Sequence, residues 1–155
     1  MQTVNIKIHT EGCEPLINSQ GDWIDLRSAE DITINPPQYN VHTNKIEFQS
    51  GLISLGVTIQ APEGYEVQVL PRSSTFKKYG IIMSNSMGIV DYSYRGENDI
   101  IHFPYIGMKE AVINKGDRIA QFRIVPSQFK EGVQINIVDK LEEESRGGFG
   151  STGWQ

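Results

Sequence analysis

An all-β fold of the sandwich or jelly-roll kind is predicted here by three observations. Apolar residues alternate with polar ones at a period of two, the alternating runs are short, and glycine and proline fall between them. Val4, Ile6 and Ile8 alternate with Asn5 and Lys7, as in a strand with one wetted and one buried face. Residues 52–60 carry Leu55, Val57 and Ile59 in the same rhythm. Ala61-Pro62-Glu63-Gly64 is a turn signal, after which Tyr65, Val67 and Val69 resume the alternation. Further strands are expected at 80–83, 99–103, 118–125 and 133–138. The 15 glycines and 7 prolines punctuate these runs, and Pro36-Pro37 breaks any local helix. Helical signals are sparse. Residues 74–79 read as a turn or a short helix after Pro71, and 141–145 is too short and too acidic to hold a helix alone.

A chain of 155 residues suggests one domain with a real core. With 38% apolar and 21% charged residues it has the balance of a globular protein. The 14 basic and 19 acidic side chains leave a formal charge of -5, so non-specific nucleic-acid binding is not expected. Cys13 is the single cysteine, which excludes an internal disulfide and a thiolate zinc cluster. Its surroundings carry no motif, and it is expected to be inert. No run approaches the ~20 apolar residues of a membrane span, and residues 1–9 lack the form of a signal peptide. A cytoplasmic enzyme without a membrane partner is the default expectation. Residues 1–140 are read as one β domain. From Leu141 the composition changes to three consecutive glutamates, then four glycines around Phe149. Residues 141–155 are therefore expected to be a flexible arm that a ligand or a neighbouring subunit orders.

Four segments of the domain can carry chemistry. In Gly88-Ile89-Val90-Asp91-Tyr92-Ser93-Tyr94-Arg95-Gly96 an acid lies between apolar residues and two tyrosines. Asp91 reads either as the cap of a hairpin turn or as a general base acting on water, provided its surroundings raise its pKa or hold the water firmly. Pro71-Arg72-Ser73-Ser74 reads either as a strand end with an N-capping serine or as an anion site offering a guanidinium fork and two hydroxyls. Gly116-Asp117-Arg118-Ile119-Ala120-Gln121 begins with a turn. On a regular strand Gln121 shares the face of Ile119 and Arg123, and Arg118 takes the opposite face. Asp22 and Asp25, three apart, do not share a strand face, which argues against paired metal ligands. Asp25 reads as a turn or ion-pair residue, or as a carboxylate that reaches magnesium through water. His9, His42 and His102 form no ligand pair and read as surface or satisfied core residues. No phosphate-binding loop of the Gly-x-x-x-x-Gly-Lys-Ser/Thr type occurs.

Taken in order, these segments and the Gly147-Gly148-Phe149-Gly150-Ser151-Thr152-Gly153 tail resemble the five motifs of the homotrimeric dUTPase family, from about Asp25 to Gly153. The resemblance implies a distorted jelly-roll subunit and a threefold homotrimer with active sites shared between subunits. Asp91 would activate the water that attacks the α-phosphorus of dUTP, releasing dUMP and pyrophosphate. Asn85 and the backbone of Gly88, Ile89, Val90 and Asp91 would read uracil, and Tyr94 would pack against the deoxyribose. Arg72, Ser73, Ser74 and Gln121 would bind phosphates. Asp25 would help organise Mg2+ through water. The arm, with Arg146, Phe149, Ser151 and Thr152, would close over the substrate. Two departures stand out. Ser93 replaces a second acid usual in the family, which implies tuning of the site. The usual tail reads Arg-Gly-x-Gly-Gly-Phe-Gly; aligned on Phe149, it places Arg146 two residues late. Either the glycine-rich backbone lets Arg146 reach the γ-phosphate, or that contact comes from elsewhere. A dCTP deaminase-like enzyme of the same fold, or a non-catalytic jelly-roll binder, is the alternative reading. A regulatory protein contact is left undetermined.

Overall fold

A computed structural model describes residues 1–148. In chain order the strands are β1 (Asn5–Ile8), β2 (Ile24–Arg27), β3 (Ile32–Ile34), β4 (Gln38–Asn40), β5 (Lys45–Glu47), β6 (Ser50–Ser54) and β7 (Val57–Gln60). After them come β8 (Tyr65–Pro71), the helix α1 (Thr75–Tyr79), β9 (Ile81–Met83), β10 (Gly88–Val90), β11 (His102–Gly107), β12 (Ala111–Ile113) and β13 (Arg118–Pro126). A four-stranded sheet in the order β10-β8-β13-β2 and a three-stranded sheet β6-β11-β9 form the body. The pairs β1-β7, β12-β3 and β4-β5 complete it. All the strand pairings are antiparallel.

The alternation chooses the core. Val67 and Val69 of β8, Leu26 of β2 and Phe122 of β13 point inward from the larger sheet, and Ile53, Phe103 and Ile81 from the smaller one. Each is at most 1% exposed. Burying a side chain of this size contributes about 1.5–3 kcal/mol. The result is the β-sandwich, jelly-roll-like subunit that the pattern predicts.

Four segments depart from the expected strands. Residues 52–60 are two strands, because Gly56 adopts a left-handed φ of 66° that turns the chain from its β11 partner to β1. A side chain there would come within 2.8 Å of the Cys13 sulfur. Leu55, Val57 and Ile59 are all buried nonetheless. The strand expected from 99 begins only at His102, since the Asp99 carboxylate accepts the Gly96 N–H (2.7 Å) and holds a loop. Residues 133–138 form no strand. Val133, Ile135 and Ile137 stay exposed, because no strand edge of the described residues lies beside them to complete a ladder. In β13 the register slips between Arg118 and Ala120, so that Ile119 and Ala120 are both buried. The strands β3, β4, β5 and β12 are each three residues long, too short for periodicity to reveal.

Candidate active site

Two clefts gather the segments singled out above. The first is the hairpin cleft. Between β9 and β10 the chain reverses through Ser86, which takes a φ of 63°, and through a hydrogen bond from its N–H to the Met83 carbonyl (3.1 Å). Gly88 and Val90 then pair with Val69 and Val67 of β8. A Cβ at Gly88 would sit 3.2 Å from the Val69 Cβ, so the glycine permits this close approach. Asn85, Gly88, Ile89, Val90, Asp91 and Tyr94 line a cleft of about 370 Å³, together with Ile100 and His102. That volume falls in the lower part of the ~300–1,000 Å³ range of small-molecule sites.

Asp91 stands at the rim of this cleft. The Ser93 hydroxyl and the Ser93 N–H (3.2 Å) both donate to its Oδ2. Its carbonyl accepts the Tyr94 N–H (2.9 Å), closing a tight turn. The hydrogen bonds from Ser93, side chain first and backbone second, hold the Asp91 carboxyl below the ordinary aspartate value. Of the two routes open to a general base here, a raised pKa is not the one this subunit takes. Asp91 is exposed, because β10 ends at Val90 and the turn carries the carboxylate off the sheet into water. What remains is the second route, a carboxylate held firmly enough to hold a water. Tyr94 is anchored by a hydrogen bond from its hydroxyl to the Ile100 carbonyl (2.9 Å).

The second cleft, about 300 Å³, lies at the far end of β8 and is lined by Asp25, Arg72, Ser73, Arg118 and Gln121 among others. Asp25 is its hub. One carboxylate oxygen meets Arg72 Nε at 3.1 Å, and the other meets Arg118 Nη1 at 3.0 Å. Gln121 lies opposite Asp25 across β13 and β2, and its Nε2 donates to the Pro71 carbonyl (3.1 Å). The one-residue slip at Ile119 puts Arg118 and Gln121 on the same face, contrary to the regular-strand expectation. A bulge inserts a residue and inverts the alternation beyond it. Gln121 accordingly does not share the face of buried Ile119.

Among the described residues the side chains of Ser73 and Ser74 make no hydrogen bond. Ser74 occupies the N-cap position of α1 but makes no side-chain cap bond. Thr75 does the structural work: its Oγ1 accepts the Arg72 N–H (2.9 Å) and donates to the Ile119 carbonyl (2.8 Å). Ser73 is exposed beside Arg72. Behind the cleft the first and fourth segments are tied together by Ser28 N–H to the Asp117 carbonyl and Arg27 Nη1 to the Gly116 carbonyl.

Arg118 and His102 line the clefts without having been anticipated as site residues. Arg118 was set on the wrong face by assuming a regular strand. His102, read as a surface or satisfied core histidine, is exposed and lines the hairpin cleft. His9 fits that bland reading, with Nε2 2.8 Å from the Thr58 hydroxyl. Cys13 is buried, and burial pushes its thiol pKa up, which agrees with an inert role. Arg146 lies in an exposed stretch without secondary structure. Phe149, Ser151 and Thr152 lie outside the described residues.

The dUTPase family model matches residues 15–153. The SPbeta prophage-derived deoxyuridine 5'-triphosphate nucleotidohydrolase YosS of Bacillus subtilis is 49% identical over 134 residues, covering 86% of this chain and 85% of that protein. The deoxyuridine 5'-triphosphate nucleotidohydrolase of Maricaulis maris is 40% identical over 168 residues, covering 99% of each. Among solved structures, a Staphylococcus bacteriophage 80alpha dUTPase superposes with a TM-score of 0.75, over 97% of this chain and 98% of that one, at 22% identity. That last likeness is one of fold.

Proposed function

Because the chain belongs to the dUTPase family, we propose that it hydrolyses dUTP to dUMP and pyrophosphate by attack of an Asp91-directed water on the α-phosphorus. The observation that carries this reading is the Asp91 carboxylate, pinned by two hydrogen bonds from Ser93 at the rim of the hairpin cleft. The water oxygen bonds to the α-phosphorus as its proton passes to Asp91. The bond from that phosphorus to the bridging oxygen breaks, and pyrophosphate leaves with the electron pair. Asn85 and the backbone from Gly88 to Asp91 offer the polar edge that uracil needs. Tyr94, anchored on Ile100, supplies a wall for the deoxyribose. Ser73 and Ser74, unused by the fold, join Arg72 and Gln121 as donors to phosphate oxygens.

The donor set fits Mg2+ that arrives with the triphosphate. Among the described residues no three acid, histidine or cysteine side chains gather into a metal site. Each Asp25 oxygen, bonded to one guanidinium, keeps a lone pair for a water of the metal's shell. Bound Mg2+ offsets charge on the phosphates and on the leaving group.

The spacing along β8 supports a homotrimer with shared sites. Val90 faces Val67 near one end, and Pro71 closes the other end four residues on, about 13 Å away at the rise of a strand. Asp91 follows Val90 and Arg72 follows Pro71, so the two segments leave β8 at opposite ends. In the proposed trimer the base of one subunit works with the phosphate donors of another, and the arm of residues 141–155 closes the site. Exposed Ile89, Val133, Ile135 and Ile137 suit burial between subunits.

The test is pyrophosphate release from dUTP, dTTP, dCTP and UTP, with and without Mg2+. Release from dUTP, strongly favoured by Mg2+ and far above the other three, is expected. Ammonia from dCTP without pyrophosphate from dUTP would turn the reading to the deaminase.

A further inference from the structure

We infer that the β4-β5 hairpin is a self-association site, at which β5 of one copy pairs antiparallel with β5 of a second copy about a twofold axis at Ile46. The sheet β4-β5 has two strands, and among the described residues no strand pairs with the outer edge of β5. A two-stranded ribbon is marginal by itself in water, and an open edge presents unpaired N–H and C=O groups to any strand that fits. The register sets Gln38 opposite Glu47, Tyr39 opposite Ile46 and Asn40 opposite Lys45. Tyr39 and Ile46 therefore share one face, where they are 60% and 62% exposed. Gln38, Asn40, Lys45 and Glu47 share the other face, and Lys45 and Glu47 are both exposed. Among the described residues neither of these two charges is in an ion pair. Glu47 Oε1 accepts the Asn40 Nδ2–H at 2.9 Å, which leaves its second oxygen for a cation.

Charge selects the occupant of this edge. A twofold axis at Ile46 sets Lys45 opposite Glu47 of the second copy, and Glu47 opposite Lys45 of that copy. Both pairs are attractive, and both lie on the polar face. On the other face Ile46 meets its own copy, and the tyrosines and isoleucines form one apolar row across four strands. The edge of β4 offers nothing comparable. A twofold axis at Tyr39 would set Gln38 opposite Asn40, both neutral, and Pro37 just before the strand has no N–H to give. The competing strand is the segment 133–138 of a second copy, where Val133, Ile135 and Ile137 are exposed. That segment carries no charge, so its pairing would be indifferent to Lys45 and Glu47. A contact of one three-residue strand a side is far smaller than the ~20–30 residues a side of a stable interface, so the association is weak and concentration-dependent.

Sedimentation equilibrium of the full chain, from micromolar to millimolar concentration, tests this. Wild type, Lys45→Glu, Glu47→Lys, the double swap Lys45→Glu/Glu47→Lys and an equimolar mixture of the two single variants are compared. The wild type is expected to double in mass, as concentration rises, relative to the unit that the single variants form; the comparison holds whatever oligomer that unit is. Each single variant sets like charges opposite each other in both pairs, which should weaken the doubling about tenfold or more. The double swap restores opposite charges and should double as the wild type does. In the mixture the edge of each variant meets its opposite in the other, so doubling should return there too. A wild type that never doubles overturns the proposal and leaves the edge to the strand of another protein. Doubling that neither single variant weakens belongs to another surface, such as residues 133–138, and also overturns it. So does a double swap that stays at the mass of the single variants.

Discussion

Replacing Asp91 by asparagine removes a base without removing bulk, and the structure sets the size of the effect. A general base contributes about 10²–10⁴-fold to a rate. Ser93 donates twice to this carboxylate and draws its pKa down, so the proton-transfer driving force is smaller than for a buried acid. The expected loss in kcat is therefore toward the lower end, about 10²–10³-fold. Substrate binding should change little, because the amide has the same shape and its oxygen still accepts from Ser93. The fold should be indifferent: the side chain is exposed and its hydrogen bonds are local, so the melting temperature should stay within about 2 °C. The assay pairs single-turnover pyrophosphate release with the Kd for a non-hydrolysable dUTP analogue and a thermal melt. A variant that turns over within about tenfold of wild type would falsify the assignment of Asp91 as the base.

The other expectations are more local. Ser93→Ala removes the larger of the two bonds that favour the ionised Asp91, so the Asp91 pKa rises. The acidic limb of the kcat/KM–pH profile should move to higher pH, and an unmoved limb would separate Ser93 from the base. Asp25→Ala leaves Arg72 and Arg118 facing each other without their counter-charge. Side-chain exposures of 15%, 21% and 39% place this cluster between a buried and a surface pair. A cost of about 2–3 kcal/mol is expected, lowering the melting temperature by about 4–12 °C; an unchanged melt would show the ion pairs to be idle. Deleting residues 147–155 should depress activity far more than thermal stability. Loss of the proposed trimer in sedimentation would instead make the tail a structural element.

Much of this protein is written in local pattern. Val67 and Val69 alternate because β8 has one face inward, and Leu26 and Phe122 answer them from the neighbouring strands. Gly88 through Gly96 and Pro71 through Ser74 suggest their chemistry by residue type, an acid between an apolar pair and two tyrosines in the one and two serines after Pro-Arg in the other. Periodicity reports which face a residue takes only while the ladder stays in register. The slip at Ile119 inverted the phase and brought Arg118 to Gln121 and Asp25.

Other decisions belong to contacts between distant parts of the chain. Thr75 bonds to Ile119, 44 residues away, and so leaves Ser73 and Ser74 unused. The direction of the Asp91 pKa is set by the hydrogen bonds from Ser93, which the turn after β10 brings to the carboxylate. Residues 133–138 have the alternation of a strand, but a strand exists only where another edge offers its N–H and C=O groups. Residue types and their spacing thus determined the β architecture and the chemical groups at hand. Register, loop exposure and distant hydrogen bonds, which arise only when separate segments pack, decided which of those groups meet.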